Sequence, residues 1–386
     1  MSTYTAPAWV EPRTAYLHIP FCGHHCGYCD FAVTAGHDHL IELYLDALEI
    51  ELRLLDQPRS VESLFIGGGT PTYLSAKQLD RLLTSVNTWL PLTGEVKEFS
   101  IESTPESLDA EKVRVLAAHG VNRVSIGVQS FQSHLLKSLD RQHGVEQIPQ
   151  AVEAVRRFIP MLSFDLIFAA PGQTLSEWEA DLNAALAFEP DHLSTYGLTY
   201  EKGTPLWKQR SRGQVIAVPE EAELAMYQHA IERLTVTGFE HYEISNFARP
   251  GRRSVHNQRY WANEAYYGLG VGAARYVHGS RELNSRDTKH YIRTVLAGES
   301  PTFQQETLAP RERAFETIAT QLRRCDGIQR RPFRVQTGYE LNDLVGERLH
   351  NLIATGLLHD TGLSVALTPS GKCLADGVIE DLLKAF

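Results

Sequence analysis

The stretch "HIPFCGHHCGYCDF", residues 18–31, holds three of the chain's five cysteines, Cys22, Cys26 and Cys29. This C-x3-C-x2-C run follows an apolar, β-rich segment, "AYLHIPF" at 15–21. Thiolate is the usual protein ligand for iron–sulfur clusters and for structural zinc. Zinc could use the three thiolates plus His24 or His25. Structural zinc usually draws on two separated ligand pairs, however, and Cys325 and Cys373 are single and distant. A redox dithiol needs only "CGYC" and leaves Cys22 unexplained. Covalent haem attachment wants C-x-x-C-H, and Asp30 stands at the His position. A [4Fe-4S] cluster held by three cysteines fits the count best, and it leaves one iron open to a small molecule.

Outward from the cysteines the chain alternates. Apolar, β-rich runs recur at 15–21, 63–69, 98–104, 123–130, 163–170 and 192–199. Helical patterns fill 38–56, 75–89, 109–118, 145–158 and 175–187, and a further one covers about 219–237. Strands alternating with amphipathic helices imply a parallel sheet built from βαβ units. The units are too few for an eight-fold barrel, so the α/β fold expected is a partial (β/α)6 TIM-like barrel. A doubly wound sheet is the other arrangement they suit. Polar residues and glycines gather where the runs end: the cysteines, "GGGTPT" after "SLFI", Glu102, Gln129 and Asp165. In parallel α/β architectures the active site lies at that edge.

The alternation stops near residue 238, which suggests a barrel over 1–237 and a second, α+β region over 238–386. Residues 238–300 are rich in aromatics and glycine; from about 300 onward, helices lead into a small winged-helix-like module. The formal net charge of -10 argues against that module binding DNA and against nucleic-acid partners in general. No apolar run reaches the roughly 20 residues of a membrane span. "MSTYTAPAWVEPRTAY" lacks the basic and apolar regions of a signal peptide. The expectation is a cytoplasmic protein, where reduced thiols favour metal chemistry over disulfides.

The cysteine spacing followed by "GGGTPT" resembles the radical S-adenosylmethionine superfamily. "YLHIPFCGHHCGYCDF", "IGGGTPTYL", "SIESTP", "VNRVSIGVQSF", "LDRQH" and "FDLIFAAPGQ" look like the coproporphyrinogen dehydrogenase (HemN) group and its HemW relatives. The resemblance implies a cluster whose open iron is chelated by the amino and carboxylate groups of S-adenosylmethionine. An electron from the cluster can then cleave the sulfonium to a 5′-deoxyadenosyl radical. It further implies that Tyr16 and Tyr28 line cluster and cofactor, and that Gly68, Gly69 and Thr70 meet the methionyl end. Glu102 would bind the amino group or ribose. Gln129, Arg141, Asp165 and Thr199 match positions that contact a second cofactor molecule in the dehydrogenase.

Two departures separate the chain from the dehydrogenase. Its third cluster cysteine is followed by x-Cys, whereas Cys29 is followed by Asp30 and Phe31. The dehydrogenase also carries a longer arm before the cluster. Towards HemW, "HNQRYW" at 256–261 resembles a haem-binding H-N-x-x-Y-W motif. Imidazole is a common axial ligand of haem iron, so His256 would bind it, with Tyr260 and Trp261 as stacking faces. Arg252, Arg253 and Arg259 could pair with propionates. The motif lies far in sequence from the cysteines, which predicts a haem site apart from the barrel edge. The resemblance thus implies a haem chaperone on a radical S-adenosylmethionine scaffold. Its partners would be haem or porphyrin, haem-accepting proteins such as respiratory haem proteins, and an electron donor. An oxygen-independent coproporphyrinogen III oxidase is the alternative enzyme reading.

Overall fold

The apolar runs become strands β1 (Thr14–Ile19), β2 (Ser63–Gly68), β3 (Glu98–Ser103), β4 (Arg123–Gln129), β5 (Met161–Phe168) and β6 (His192–Gly197). The amphipathic runs become α1 (Ile41–Arg53), α2 (Ala76–Trp89), α3 (Ala110–Ala118), α4 (Gln147–Arg156), α5 (Leu175–Ala187) and α6 (Glu220–Val236). Local sequence sets several helix starts. Ser75 with Gln78, and Thr174 with Glu177, form reciprocal caps, and Asp109 accepts from the amides of Glu111 and Lys112. Each satisfies amide donors that the first helical turn leaves free. The computed structural model describes residues 9–95 and 97–386, so the first eight residues of the stretch read for a signal peptide lie outside the described residues.

The six strands pair in parallel, in sequence order. Their alternate residues divide sharply. Leu17, Ile19, Leu64, Ile66, Phe99, Ile101, Val124 and Ile126 are buried in the main hydrophobic core, which α1 to α6 complete. The other face carries Thr14, Tyr16, His18, Ser63, Glu98, Ser100, Glu102, Arg123, Ser125, Ser163, Asp165, His192 and Ser194. These meet one another inside the barrel: Thr14 with Ser63 at 2.8 Å, Ser125 with Asp165 at 3.0 Å, Ser163 with His192 at 2.8 Å. Barrel interiors are usually packed with Val, Ile and Leu. This one is polar.

The expected boundary at 238 falls inside a continuous sheet. β7 (Glu240–Glu243) and β8 (Asn246–Ala248) form a hairpin whose β8 pairs antiparallel with β6. After α7 (Val255–Trp261), β9 (Tyr267–Leu269) returns to pair in parallel with β1. The result is an open nine-stranded sheet, ordered β9-β1-β2-β3-β4-β5-β6-β8-β7. Sequence alternation misses these strands because they are only three or four residues long. The second core lies within residues 314–382. There α8 (Pro310–Gln321), α9 (Arg330–Thr337), α10 (Leu341–Ala354) and α11 (Ala375–Leu383) surround a three-stranded sheet, giving the winged-helix-like order of elements. Among the described residues, no helix is long and apolar enough to cross a membrane.

Candidate functional site

The C-terminal ends of β1 to β6 open onto a cavity of about 870 Å³. All but two of the expected site residues line it. Cys22, Cys26, Cys29 and Tyr28 come from the loop after β1, and Gly68, Gly69 and Thr70 from the turn after β2. Glu102, Gln129 and Thr199 stand at or just beyond the next strand ends, Asp165 points in from the middle of β5, deeper than the strand end expected for it, and Arg141 reaches in from the loop after β4.

No disulfide ties the cysteines. Cys22 Sγ lies 3.5 Å from the Thr70 hydroxyl, and Cys26 Sγ lies 3.6 Å from Arg141 Nη1. Burial pushes the Cys22 thiol up to about 12 and raises Cys29, with the neighbouring sulfurs adding to both shifts. Three partly buried sulfurs on one short loop suit a cationic metal group, which would hold them as thiolates. Among the described residues, no group of three His, Cys, Asp or Glu side chains closes on a single ion centre.

The glycine turn is set by close approach. A Cβ on Gly69 would stand 2.7 Å from the Pro20 carbonyl oxygen. At Gly68, φ is +113°, and a Cβ would stand 2.6 Å from the His18 ring. The amides of this turn are already engaged: Gly68 N–H donates to Glu102 Oε2 at 2.9 Å, Gly69 to the Ile19 carbonyl and Thr70 to the Phe21 carbonyl. What the turn can offer a ligand is therefore carbonyl oxygen, an acceptor suited to an ammonium group.

Charge inside the cavity is mixed. Burial, and then the Asp165 carboxylate, raise Glu102 to about 8. Burial also raises Asp165, against hydrogen bonds from Ser194 and Ser125. Arg141 donates to the Gly127 carbonyl at 2.7 Å. Two acids and a guanidinium complement a ligand carrying both positive groups and a carboxylate. Lys112, which the sequence reading passed over, also lines the cavity, with Nζ donating to the Thr72 and Ser107 carbonyls at 2.7 and 3.0 Å. No sequence signal marks it. Ser125, Ser194 and Tyr196 were legible, because period-two alternation along β4 and β6 puts them on the inward face.

The two exceptions are Tyr16 and His256. Both line a smaller chamber of about 210 Å³ inside the barrel, which shares Glu102, Asp165 and Tyr196 with the upper cavity. The H-N-x-x-Y-W motif lies away from the cysteine edge, at the opposite end of the strands, but it is packed into the barrel and not detached from it. The motif is α7, and α7 closes the barrel floor. Buried Glu98 accepts from Ser254 Oγ at 2.9 Å and from the Val255 amide at 2.7 Å, so a barrel strand caps the helix. Arg123 stands 3.7 Å from Glu98 and donates to the Arg252 carbonyl at 2.8 Å.

His256 is 2% exposed, with ring centroids 4.9 Å from Phe65 and 4.5 Å from Tyr260. Neither ring nitrogen has a hydrogen-bond partner, and burial, then Arg259, lower its pKa to about 3. Tyr16 hydrogen-bonds His18 Nδ1 at 3.0 Å. The nearby guanidiniums are engaged in ion pairs: Arg259 with Glu62 and Glu264, Arg253 with Glu240, and Arg252 with Asp191.

Residues 16–185 match the radical SAM superfamily, and residues 308–374 match the HemN C-terminal domain. Fold and cysteine loop together define a radical S-adenosylmethionine scaffold. The chain is 37% identical over 371 residues to the "Heme chaperone HemW" of Bacillus subtilis, covering 95% of this chain and 98% of that protein. It is 35% identical over 374 residues to the protein of the same name from Lactococcus lactis, covering 97% and 98%. The solved coproporphyrinogen III oxidase (HemN) of Escherichia coli superposes with a TM-score of 0.84 at 24% identity, covering 97% of this chain and 91% of that one. That likeness speaks for the fold alone. On these grounds the chain belongs to the HemW family.

Proposed function

We propose that this chain is a haem chaperone that holds a [4Fe-4S] cluster and S-adenosylmethionine in the upper cavity and passes haem to acceptor proteins. Cys22, Cys26 and Cys29 would hold the cluster. The carbonyls of the glycine turn and the carboxyls of Glu102 and Asp165 would meet the cofactor's positive groups, and Arg141 its carboxylate. Tyr28, Gln129 and Thr199 would complete the walls. When bound, the cluster supplies one electron to the sulfonium. An electron donor would reload it. The observation that carries the cofactor half is the opening of three unbridged thiols, the glycine turn and the Glu102–Asp165–Arg141 group onto one cavity.

The haem half rests on the name of the relatives and on the HNQRYW helix. His256 can reach a haem iron only when α7 leaves the floor, since its ring is buried and the chamber it faces is too small for a macrocycle. Tyr16, in the same chamber, would act on the cofactor through Glu102 rather than by lining the cluster.

The test is anaerobic reconstitution, with iron and sulfide assayed, followed by haem and coproporphyrinogen III offered in parallel. Haem binding without vinyl formation supports the reading. Stoichiometric decarboxylation with S-adenosylmethionine and a reductant would overturn it and make the chain a coproporphyrinogen III oxidase.

A further inference from the structure

Haem carriage requires a ligand that a haem iron can reach, and with α7 in place His256 does not offer one. His25 does. It stands exposed on the rim of the upper cavity, between Cys22 and Cys26. Its Nε2 lies 3.0 Å from the Cys29 carbonyl oxygen. An imidazole N–H donating to a backbone carbonyl fixes the tautomer and leaves the lone pair on Nδ1. Metal-ligating histidines are oriented in this way. Its neighbour His24 has Nε2 3.0 Å from the Asp140 carboxylate without a hydrogen bond, so its tautomer is not fixed in this way.

Two further groups, one on this rim and one beside it, suit a macrocycle. Phe31 lines the cavity and is 68% exposed, so its ring is open to a flat apolar ligand. Arg286, just outside the cavity wall, donates to the Asp30 carbonyl and pairs loosely with the Asp30 carboxylate at 3.9 Å; its side chain is 56% exposed, so a propionate could compete for it.

We propose that this rim is a metalloporphyrin docking site, with His25 Nδ1 as axial ligand to iron and Phe31 against the ring face. The inference rests on the haem-carrying reading above and names the ligand used while the barrel floor stays closed. Haem held there would lie beside the cysteine loop.

The experiment titrates ferric haem into the cluster-loaded protein under anaerobic conditions and follows the Soret band. It compares wild type, His25→Ala, Phe31→Ser and His256→Ala, with iron and sulfide assayed on each. His25→Ala should weaken haem binding by about tenfold or more and lose the wild-type ligand spectrum. Added imidazole should restore the spectrum. Phe31→Ser should weaken binding and leave the spectrum unchanged. If His25→Ala fails to form its cluster, it is compared with His25 intact in a Cys22→Ala background, where neither protein has one. Unaltered affinity and spectrum in His25→Ala overturn the proposal, and loss of the spectrum in His256→Ala alone would assign the ligand to an opened floor. A wild-type protein that binds no haem would refute the haem-carrying reading itself, a distinct result.

Discussion

Replacing Glu102 with glutamine should stabilise the cofactor-free protein, and most strongly above neutral pH. The carboxyl ends β3 inside the barrel and accepts the Gly68 amide at 2.9 Å. Burial first, and Asp165 second, move its pKa from 4.5 to about 8. An acid raised on folding keeps its proton in the native state over a range where the unfolded state has lost it. The native state then binds more protons, so stability falls as pH rises. The fall begins near the unfolded value of 4.5 and is complete just above the folded value of about 8. At 1.36 kcal/mol per unit the ceiling is about 5 kcal/mol, and hydration of the chamber should reduce it to about 2–3 kcal/mol. Glutamine keeps an acceptor for the Gly68 amide and never ionises.

The assay is urea unfolding of both cluster-free proteins at several pH values between about 5 and 8.5. The two should be close near pH 5, with the variant ahead by about 2–3 kcal/mol at the upper end. A difference that does not change with pH, or a wild type that gains on the variant as pH rises, refutes the reasoning. The same carboxylate should serve the cofactor once charged. Affinity of the reconstituted wild type for S-adenosylmethionine should therefore climb over this range, and the variant should lose that climb.

Three further outcomes follow from the geometry. Cys22→Ala, Cys26→Ala or Cys29→Ala should each abolish iron and sulfide incorporation, while Cys325→Ala and Cys373→Ala should not; colorimetric assay of the reconstituted proteins decides. Gly68→Ala forces a side chain into φ +113° and against His18, so it should cost about 1–3 kcal/mol in backbone strain, with repacking of His18 in addition; thermal unfolding reads the loss. Glu98→Gln leaves Arg123 buried without its counter-charge and weakens the α7 cap, for a loss of about 3–5 kcal/mol, with faster proteolysis near 255–261 as a local readout.

The barrel was legible because two periodicities alternate along the first 237 residues. Helix α5 falls on 175–187 as expected, and the strand runs differ from the observed strands by at most two residues at either end. The cysteine loop and "GGGTPT" were legible too, since both follow strand ends and parallel strands bring those ends to one edge. The polar interior was open to the same reasoning: "EFSIES" and "RVSIGVQ" alternate residue by residue. Read as runs, they hid the period that turns Ser100 and Ser125 inward.

By itself, then, the sequence determined the parallel sheet, its functional edge and the residues that meet there, because each depends on local pattern and on strand direction. Only the tertiary structure decided where α7 lies. Glu98 and Ser254 are 156 residues apart, and nothing local says that one will hold the other. That contact makes His256 part of the barrel floor; other contacts between distant segments pair the neighbouring arginines with acids and extend the sheet past residue 238. The exposure of His25 and Phe31 was likewise invisible, since exposure depends on what the rest of the fold leaves uncovered. Contacts between distant segments, formed to satisfy buried charge and close the core, set which imidazole a ligand can reach.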